Sequence, residues 1–411
     1  MLHKYKPRIV AVTGSVGKTS TKDAIYSILK HIYYVRKSEK SFNSEIGIPL
    51  TILGCESGWS NPFRWMKIIL EGIFLLVLKN HYPKVLILEV GADRPGDIRS
   101  ITKWLRPDIS VITKIGDTPA HIEFFPSLKD LVNEKAQIAL SLKCGGVLIL
   151  NGDDENTLSI KEKSKARTIT FGRCESCDIR ATNEKIIYDK DGKPYAINFK
   201  IDYNSNSLPI KLSGTVGFHY VYAVLAAMAV GFSEDVNLVS ATEWISDFNI
   251  SPGRLKIIDG IYGSVILDDT YNAAPVAVHC ALDALDELKC VGRKIAVLGD
   301  MMELGKHSAE EHRKIGKRVA EVCDILVTVG TRSVDIWKEA NKNKMYKKNM
   351  LHFSSSAQAG EKLKEVLKSG DVILVKGAQA MRMERVVERI MAHPENKGKL
   401  LPRQEKEWLR R

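Results

Sequence analysis

Residues 10–25 read VAVTGSVGKTSTKDAI and set Gly14, Ser15, Val16, Gly17, Lys18, Thr19 and Ser20 between an apolar run and a helix-like stretch. A turn of this kind can offer backbone N–H groups and a helix N-terminus to an anion, an ammonium to neutralise phosphate charge and a hydroxyl to Mg2+. The common spacing GxxxxGK[ST] would need glycine where Val12 stands, so the loop is the shorter form GxxGK[ST]. The expected chemistry is the seating of a nucleotide polyphosphate rather than a purely structural turn.

Other residue types sit where chemistry is plausible. Glu89 closes an apolar run, where a carboxylate suits a hard cation or an ion pair at the sheet edge. Lys376 and Gly377 follow a late apolar run, the place where an open α/β sheet puts its ligands. Asp268 and Asp269 read either as a turn after a strand or as an acidic site. Cys174 and Cys177 form a single CxxC with no second pair and no nearby histidine cluster, which argues against zinc. Seven cysteines, an odd number, point to reduced thiols in a cytoplasm.

The elements that must position these residues alternate between β-rich runs and helix-length segments, the pattern of a mostly parallel sheet covered by helices. Strands are expected at Ile9–Thr13, Val85–Val90, Ile109–Thr113, Gly146–Leu150, Ser264–Asp268, Ile295–Leu298, Ile325–Val329 and Asp371–Val375. Thr168 to Leu212 alternates around an Asp-Gly turn and predicts an antiparallel hairpin, followed by the helical stretch HYVYAVLAAMAVG. The break at NISPGRLKIIDG, with Pro252 and Gly253, divides the chain into 1–252 and 253–411.

A chain of 411 residues predicts two domains, and a net charge of +12 favours acidic partners such as nucleotides or an anionic membrane face. No basic stripe is interleaved with aromatics, so nucleic acid is not an expected partner. The start, MLHKYKPRIVAVTG, lacks the long apolar core of a signal peptide. Phe63 to Leu78 is apolar but shorter than a bilayer span and carries Arg64, Lys67 and Glu71. It reads as a buried or amphipathic helix, with shallow membrane contact as the alternative.

The stretch TGSVGKTS resembles the ATP loop of the Mur ligase family. Further matches follow in order: FNSEIGIPLTIL at 42–53, LEVGADRPGDI at 88–98, AHIEFFPSLKDLVNEKAQI at 120–138, SPGRL at 251–255, LDDTYNAAP at 267–275, VLGDMMELG at 297–305 and LVKGAQAMRMERVVE at 374–388. They span nearly the whole chain and are most similar to the MurF branch, which joins D-alanyl-D-alanine to a UDP-linked muramoyl tripeptide. The resemblance implies a P-loop central domain with a mostly parallel sheet, a Rossmann-like C-terminal α/β domain, and an ADP-forming amide ligase that works through an acyl phosphate.

By that resemblance Lys18 holds the β and γ phosphates, and Thr19, Glu89 and His121 bind Mg2+. Lys135 matches a lysine that relatives carry as a CO2-derived carbamate. Arg254, Asp269, Tyr271 and Asn272 approach the nucleotide from the C-terminal domain. Asn43, Ser44 and Glu45 face the muramoyl side, and Lys376 and Gly377 border the incoming amine. The resemblance also implies a cytoplasmic enzyme of peptidoglycan precursor synthesis with small-molecule substrates, and leaves the oligomeric state open.

Departures from the branch keep alternatives in view. The ATP loop begins by residue 13, with no UDP-sugar-gripping domain ahead of it; Gln137 stands where glutamate is common, Ala378 and Gln379 where Ser-Arg is common, and Tyr220 and Ala223 where asparagines are usual near the adenine. A lipid-linked or otherwise non-UDP acceptor, a different amino acid, peripheral attachment at the inner membrane face and a non-catalytic nucleotide-binding subunit are the competing readings.

Overall fold

A computed structural model describes residues 1–411 except 40–41, 118–121, 247 and 410–411. The first sheet contains β1 (Arg8–Thr13), β2 (Val35–Lys37), β3 (Val85–Glu89), β4 (Ile109–Ile112), β5 (Val147–Asn151), β6 (Arg167–Gly172), β7 (Ile179–Tyr188), β8 (Pro194–Tyr203) and β9 (Asn206–Ser213). Their order is β2-β3-β1-β4-β5-β6-β7-β8-β9. It is parallel from β2 through β7 and antiparallel across β7, β8 and β9.

Successive side chains of a strand point to opposite faces, and both faces of this sheet are covered. Val10 and Val12 of β1 pack into one buried cluster with Ile25 and Ile28 of the Lys18–Leu29 helix and with the Tyr220–Val230 stretch. Ile9 and Ala11 pack into the other with Leu86, Leu88 and Leu131. That two-sided burial is why the parallel strands read as unbroken apolar runs.

The second sheet contains β10 (Lys256–Asp259), β11 (Val265–Asp269), β12 (Lys294–Gly299), β13 (Ile325–Val329), β14 (Met350–Phe353) and β15 (Val372–Lys376), in the order β10-β11-β15-β12-β13-β14. Only β10 runs antiparallel among the strands of this sheet. Its core is again split in two, with Leu267 and Leu374 on one face and Ile266 and Ile373 on the other. The expected α/β architecture with two mostly parallel sheets is what the chain adopts, and all eight expected strands are present.

Two expectations need correction. The Thr168–Leu212 hairpin is a three-stranded meander, because Asn206–Ser213 returns along β8 as well. Cys174 and Cys177, expected as reduced thiols, are paired as a disulfide: the turn joining β6 to β7 brings their Cα atoms to 5.6 Å. Cys55, Cys144, Cys280, Cys290 and Cys323 are free.

The Pro62–Val77 helix starts where Asn61 Oδ1 accepts the backbone N–H groups of Phe63 and Arg64, with Pro62 at the first helical position. It is amphipathic in an inverted sense. Ile68 and Gly72 are its buried residues, and most of its large apolar side chains are exposed.

Candidate active site

A cavity of about 550 Å³ lies between the two sheets, bordered by the loop after β1 on one side and the ends of β11 and β15 on the other. Gly14 adopts φ +141°, and a Cβ there would collide with Thr113 Oγ1. Gly17 adopts φ +86° at the N-cap of the Lys18–Leu29 helix. These two positions need glycine for the chain to turn tightly beneath a ligand. The loop is fixed from behind by Ser15 N and Val16 N, which donate to Lys114 O at 2.9 and 3.1 Å.

Two ammonium groups converge on one oxygen of this loop. Lys18 Nζ donates to Gly14 O at 3.0 Å, and Lys135 Nζ, from the Leu128–Leu140 helix, donates to the same oxygen at 3.1 Å. Burial lowers the pKa of both, and the Lys135 amine is pushed down to about 7, with the neighbouring Lys18 charge as the second cause. The charge of Asp93, another cavity residue, acts in the opposite direction on both.

Glu89, at the end of β3 and 1% exposed, is the acidic counterpart. Thr19 Oγ1 donates to its Oε2 at 3.0 Å and Asn43 Nδ2 to its Oε1 at 3.3 Å. Lys22 lies 4.0 Å away; it is buried, donates to Ser38 O at 2.8 Å, and has its pKa lowered by that burial. A hydroxyl and a carboxylate side by side at the phosphate end are hard oxygen donors, a set that fits Mg2+. His121, expected as a further metal ligand, lies outside the described residues.

The far wall is built from the chain after Pro252. Gly253 takes φ +71° and donates its N–H to the buried Asp268 carboxylate at 2.9 Å, which sets the direction of Arg254. Burial raises the Asp268 pKa to about 6. The Arg254 guanidinium stacks on the Tyr271 ring with 4.1 Å to the centroid, and its Nη2 donates to Thr19 Oγ1 at 3.3 Å. Arg254 therefore reaches across from the second sheet's side to the phosphate loop. Lys376 Nζ donates to Asp269 Oδ2 at 2.6 Å and to Asn272 O at 2.9 Å.

Of the residues singled out from sequence, Gly14 through Ser20, Asn43, Glu89, Lys135, Arg254, Asp269, Tyr271, Asn272 and Lys376 all border the one cavity. Ser44 and Glu45 do not. Both are exposed; Ser44 Oγ accepts from Gly47 N at the start of the Gly47–Leu53 helix, and Glu45 accepts from the Ser100 hydroxyl. Gly377 packs behind the cavity against Met383 and Gly299. Gln137 turns back on its own helix, to Asn133 O. Tyr220 is fully buried, so it packs rather than stacking on a base, and its hydroxyl donates to the Arg254 carbonyl.

Sequence reasoning missed His219, which borders the cavity beside Asp269, Lys376 and Arg254; burial lowers its pKa to about 4, leaving a neutral imidazole. It also missed Trp59 and Trp408, which meet edge-on at 6.4 Å. Both border the cavity, one from each end of the chain. The GFHY context carried a signal for His219; nothing local marked the tryptophan pair.

A family model described as the Mur ligase middle domain matches residues 12–61 and 72–231, and one described as the Mur ligase glutamate ligase domain matches residues 253–379. The UDP-N-acetylmuramoyl-tripeptide--D-alanyl-D-alanine ligase of Bacillus subtilis is 28% identical over 394 residues, covering 96% of this chain and 78% of the relative. MurF of Thermotoga maritima, solved with ADP, superposes with a TM-score of 0.78 at 26% identity over 96% of this chain and 82% of that one. MurF of Acinetobacter baumannii gives 0.76 at 25% identity, over 93% and 76%.

Proposed function

The chain belongs to the Mur ligase family, and from that premise we propose that it is a MurF-like ligase that joins D-alanyl-D-alanine to the terminal carboxylate of a muramoyl peptide, with ATP cleaved to ADP and phosphate. The observation that carries this reading is the opposition of two sets of groups across one cavity. Lys18, Lys135, Thr19 and Glu89 stand on one side, and Arg254, Asp269 and Lys376 on the other.

A carboxylate is a poor electrophile, and phosphorylation gives it a leaving group. Transfer of the γ-phosphoryl depends on positioning and charge neutralisation more than on covalent help from the protein. Lys18 and Arg254 are the cations for that work: one rises from the loop, the other lies against Tyr271 and reaches Thr19. Thr19 and Glu89 would hold Mg2+, whose chemistry is to neutralise and orient the phosphate oxygens. The amine of the incoming dipeptide then attacks the acyl phosphate, forming the C–N bond as the C–O bond to phosphate breaks. Asp269 and Lys376 would border the incoming amine, rather than the nucleotide that the resemblance implies for Asp269, and the carboxylate would take up the ammonium proton or orient the nucleophile.

Lys135 fits the carbamate reading. An amine with its pKa near 7 is substantially unprotonated at neutral pH, and only the neutral amine adds CO2, releasing one proton to give an N-carboxylate. The product sets an anion beside the Lys18 cation. The division into 1–252 and 253–411 fits the same scheme, with Pro252 and Gly253 at the joint.

The test is ADP release measured together with mass-resolved product, using UDP-muramoyl-tripeptide and D-alanyl-D-alanine. Equal molar yields of ADP and a new amide are expected. ATP turnover without an amide on any muramoyl acceptor, including a lipid-linked one, would refute the reading and favour a nucleotide-binding subunit.

A further inference from the structure

We infer that the outward face of the Pro62–Val77 helix is a docking surface for an anionic lipid bilayer. With 100° between successive residues, Phe63, Met66, Leu70, Ile73, Phe74 and Val77 fall within about 100° of arc. Each is between 48% and 75% exposed. Ile68 and Gly72 lie on the opposite arc, and Gly72 closes against Leu53. A soluble surface rarely leaves so continuous an apolar stripe facing water. The helix is 16 residues long, about 24 Å, and no helix among the described residues is long and apolar enough to cross a membrane. Lying in the interface is the arrangement that buries this stripe in lipid.

Charge selects the occupant. Lys67 borders the stripe at its first half and Lys79 follows its end, both exposed, while Arg64 lies nearer the buried arc and pairs with Glu407 at 3.5 Å. Lys4 covers the helix C-terminus, its Nζ donating to Leu75 O, Leu76 O and Leu78 O at 2.9, 2.8 and 2.6 Å. The one acid of the helix, Glu71, is drawn off by Lys67 at 3.7 Å and by the Cys55 thiol. A second copy of the chain fits poorly. A parallel pairing sets Lys67 against Lys67, and in either direction a footprint about 24 Å by 10 Å falls short of the roughly 800 Å² per partner of a stable interface.

Two features place this surface in the chain's own design. The family's middle-domain pattern breaks off at residue 61 and resumes at 72, so the first ten residues of the helix lie outside that pattern. The helix is also tied to the cleft. Trp65 Nε1 donates to Trp59 O at 2.9 Å, and Trp59 borders the cavity. A docked helix therefore holds the mouth of the cleft at the headgroup layer, in reach of an acceptor carried on a lipid.

The test is flotation of the full chain with vesicles of phosphatidylcholine alone, or of seven parts phosphatidylcholine to three parts phosphatidylglycerol. The wild type should float only with the anionic vesicles and lose binding as salt rises. Ile73→Glu with Phe74→Glu should cut binding at least ~10-fold, and Lys67→Gln with Lys79→Gln about fivefold per cation removed. Phe63→Ser with Met66→Ser, an independent pair on the same stripe, should weaken it too, and all three variants should keep wild-type turnover on soluble substrates. Absence of wild-type flotation, undiminished flotation of the variants, or a wild-type dimer that the glutamate pair converts to monomer would each overturn the inference. Flotation needs no nucleotide, so it stands or falls separately from the ligase reading.

Discussion

Asp269 and Lys376 sit directly opposite each other on the adjacent parallel strands β11 and β15, and their side chains meet at 2.6 Å in a site where both residues are buried. Breaking one half of such a pair strands the other charge in a medium that solvates it badly. Asp269→Asn should therefore destabilise the chain by about 3–5 kcal/mol. Adding Lys376→Met to that variant should restore much of the loss while leaving the enzyme inactive. Denaturant unfolding of the two single variants and the double variant gives the coupling directly, and additive losses would contradict it.

Lys18→Ala should lower amide formation by at least about 100-fold, because the cation nearest the loop is removed while the loop itself is held by Lys114. Steady-state turnover with saturating acceptor measures this.

Lys135 makes a separable prediction. Its pKa is held at about 7 against an ordinary 10.5, so the unfolded chain binds more protons than the folded one throughout that window. Stability should thus rise with pH between about 7 and 10.5 in CO2-free buffer, and Lys135→Met should flatten that rise and raise the melting temperature. The same variant should be inactive, and Lys135→Ala should regain part of its activity with a short free carboxylate. Full turnover of Lys135→Ala without additive would rule out the carbamate.

His219 has its folded pKa near 4 against an ordinary 6.5. Below 6.5 the unfolded state takes up a proton that the folded state refuses, so stability falls as pH drops from 6.5 towards 4. His219→Gln should lose this slope, narrowing the stability difference by about 1–3 kcal/mol across the window. Chemical denaturation at a series of pH values reads it out.

Arg254→Lys keeps the charge but loses the planar stack on Tyr271 and the reach to Thr19, and should cost about 10- to 100-fold in turnover. Tyr220→Phe removes the hydroxyl that satisfies the Arg254 carbonyl and should cost about 1–2 kcal/mol of stability with a smaller kinetic effect. Equal turnover losses in the two variants would show that backbone placement, not the guanidinium, is what matters.

The buried parallel strands were legible because two-sided burial writes itself as contiguous Val, Ile and Leu. The boundaries of β1, β3, β4, β13 and β15 differ from expectation by at most one residue. The edge strand β2 was not, since Val-Arg-Lys has one partner strand and little apolar surface to show. The phosphate loop was readable as local chemistry. Ser44 and Glu45 fall outside the cavity because position in a polar loop says nothing about which way the chain turns, and here the Gly47–Leu53 helix claims the Ser44 hydroxyl. Lys22 and the Trp59–Trp408 pair were invisible for a related reason: each acquires its role from partners brought near only by folding.

The carbonyl of Gly14 receives two ammonium groups and offers no formal charge in return. Part of the folding free energy is thereby invested in burying the Lys18 cation beside a second amine where a polyanion fits, and the arrival of one offsets that cost. Resistance of the folded chain to proteases should then follow cellular nucleotide supply, so that scarcity of fuel shortens the lifetime of the very catalyst that consumes it.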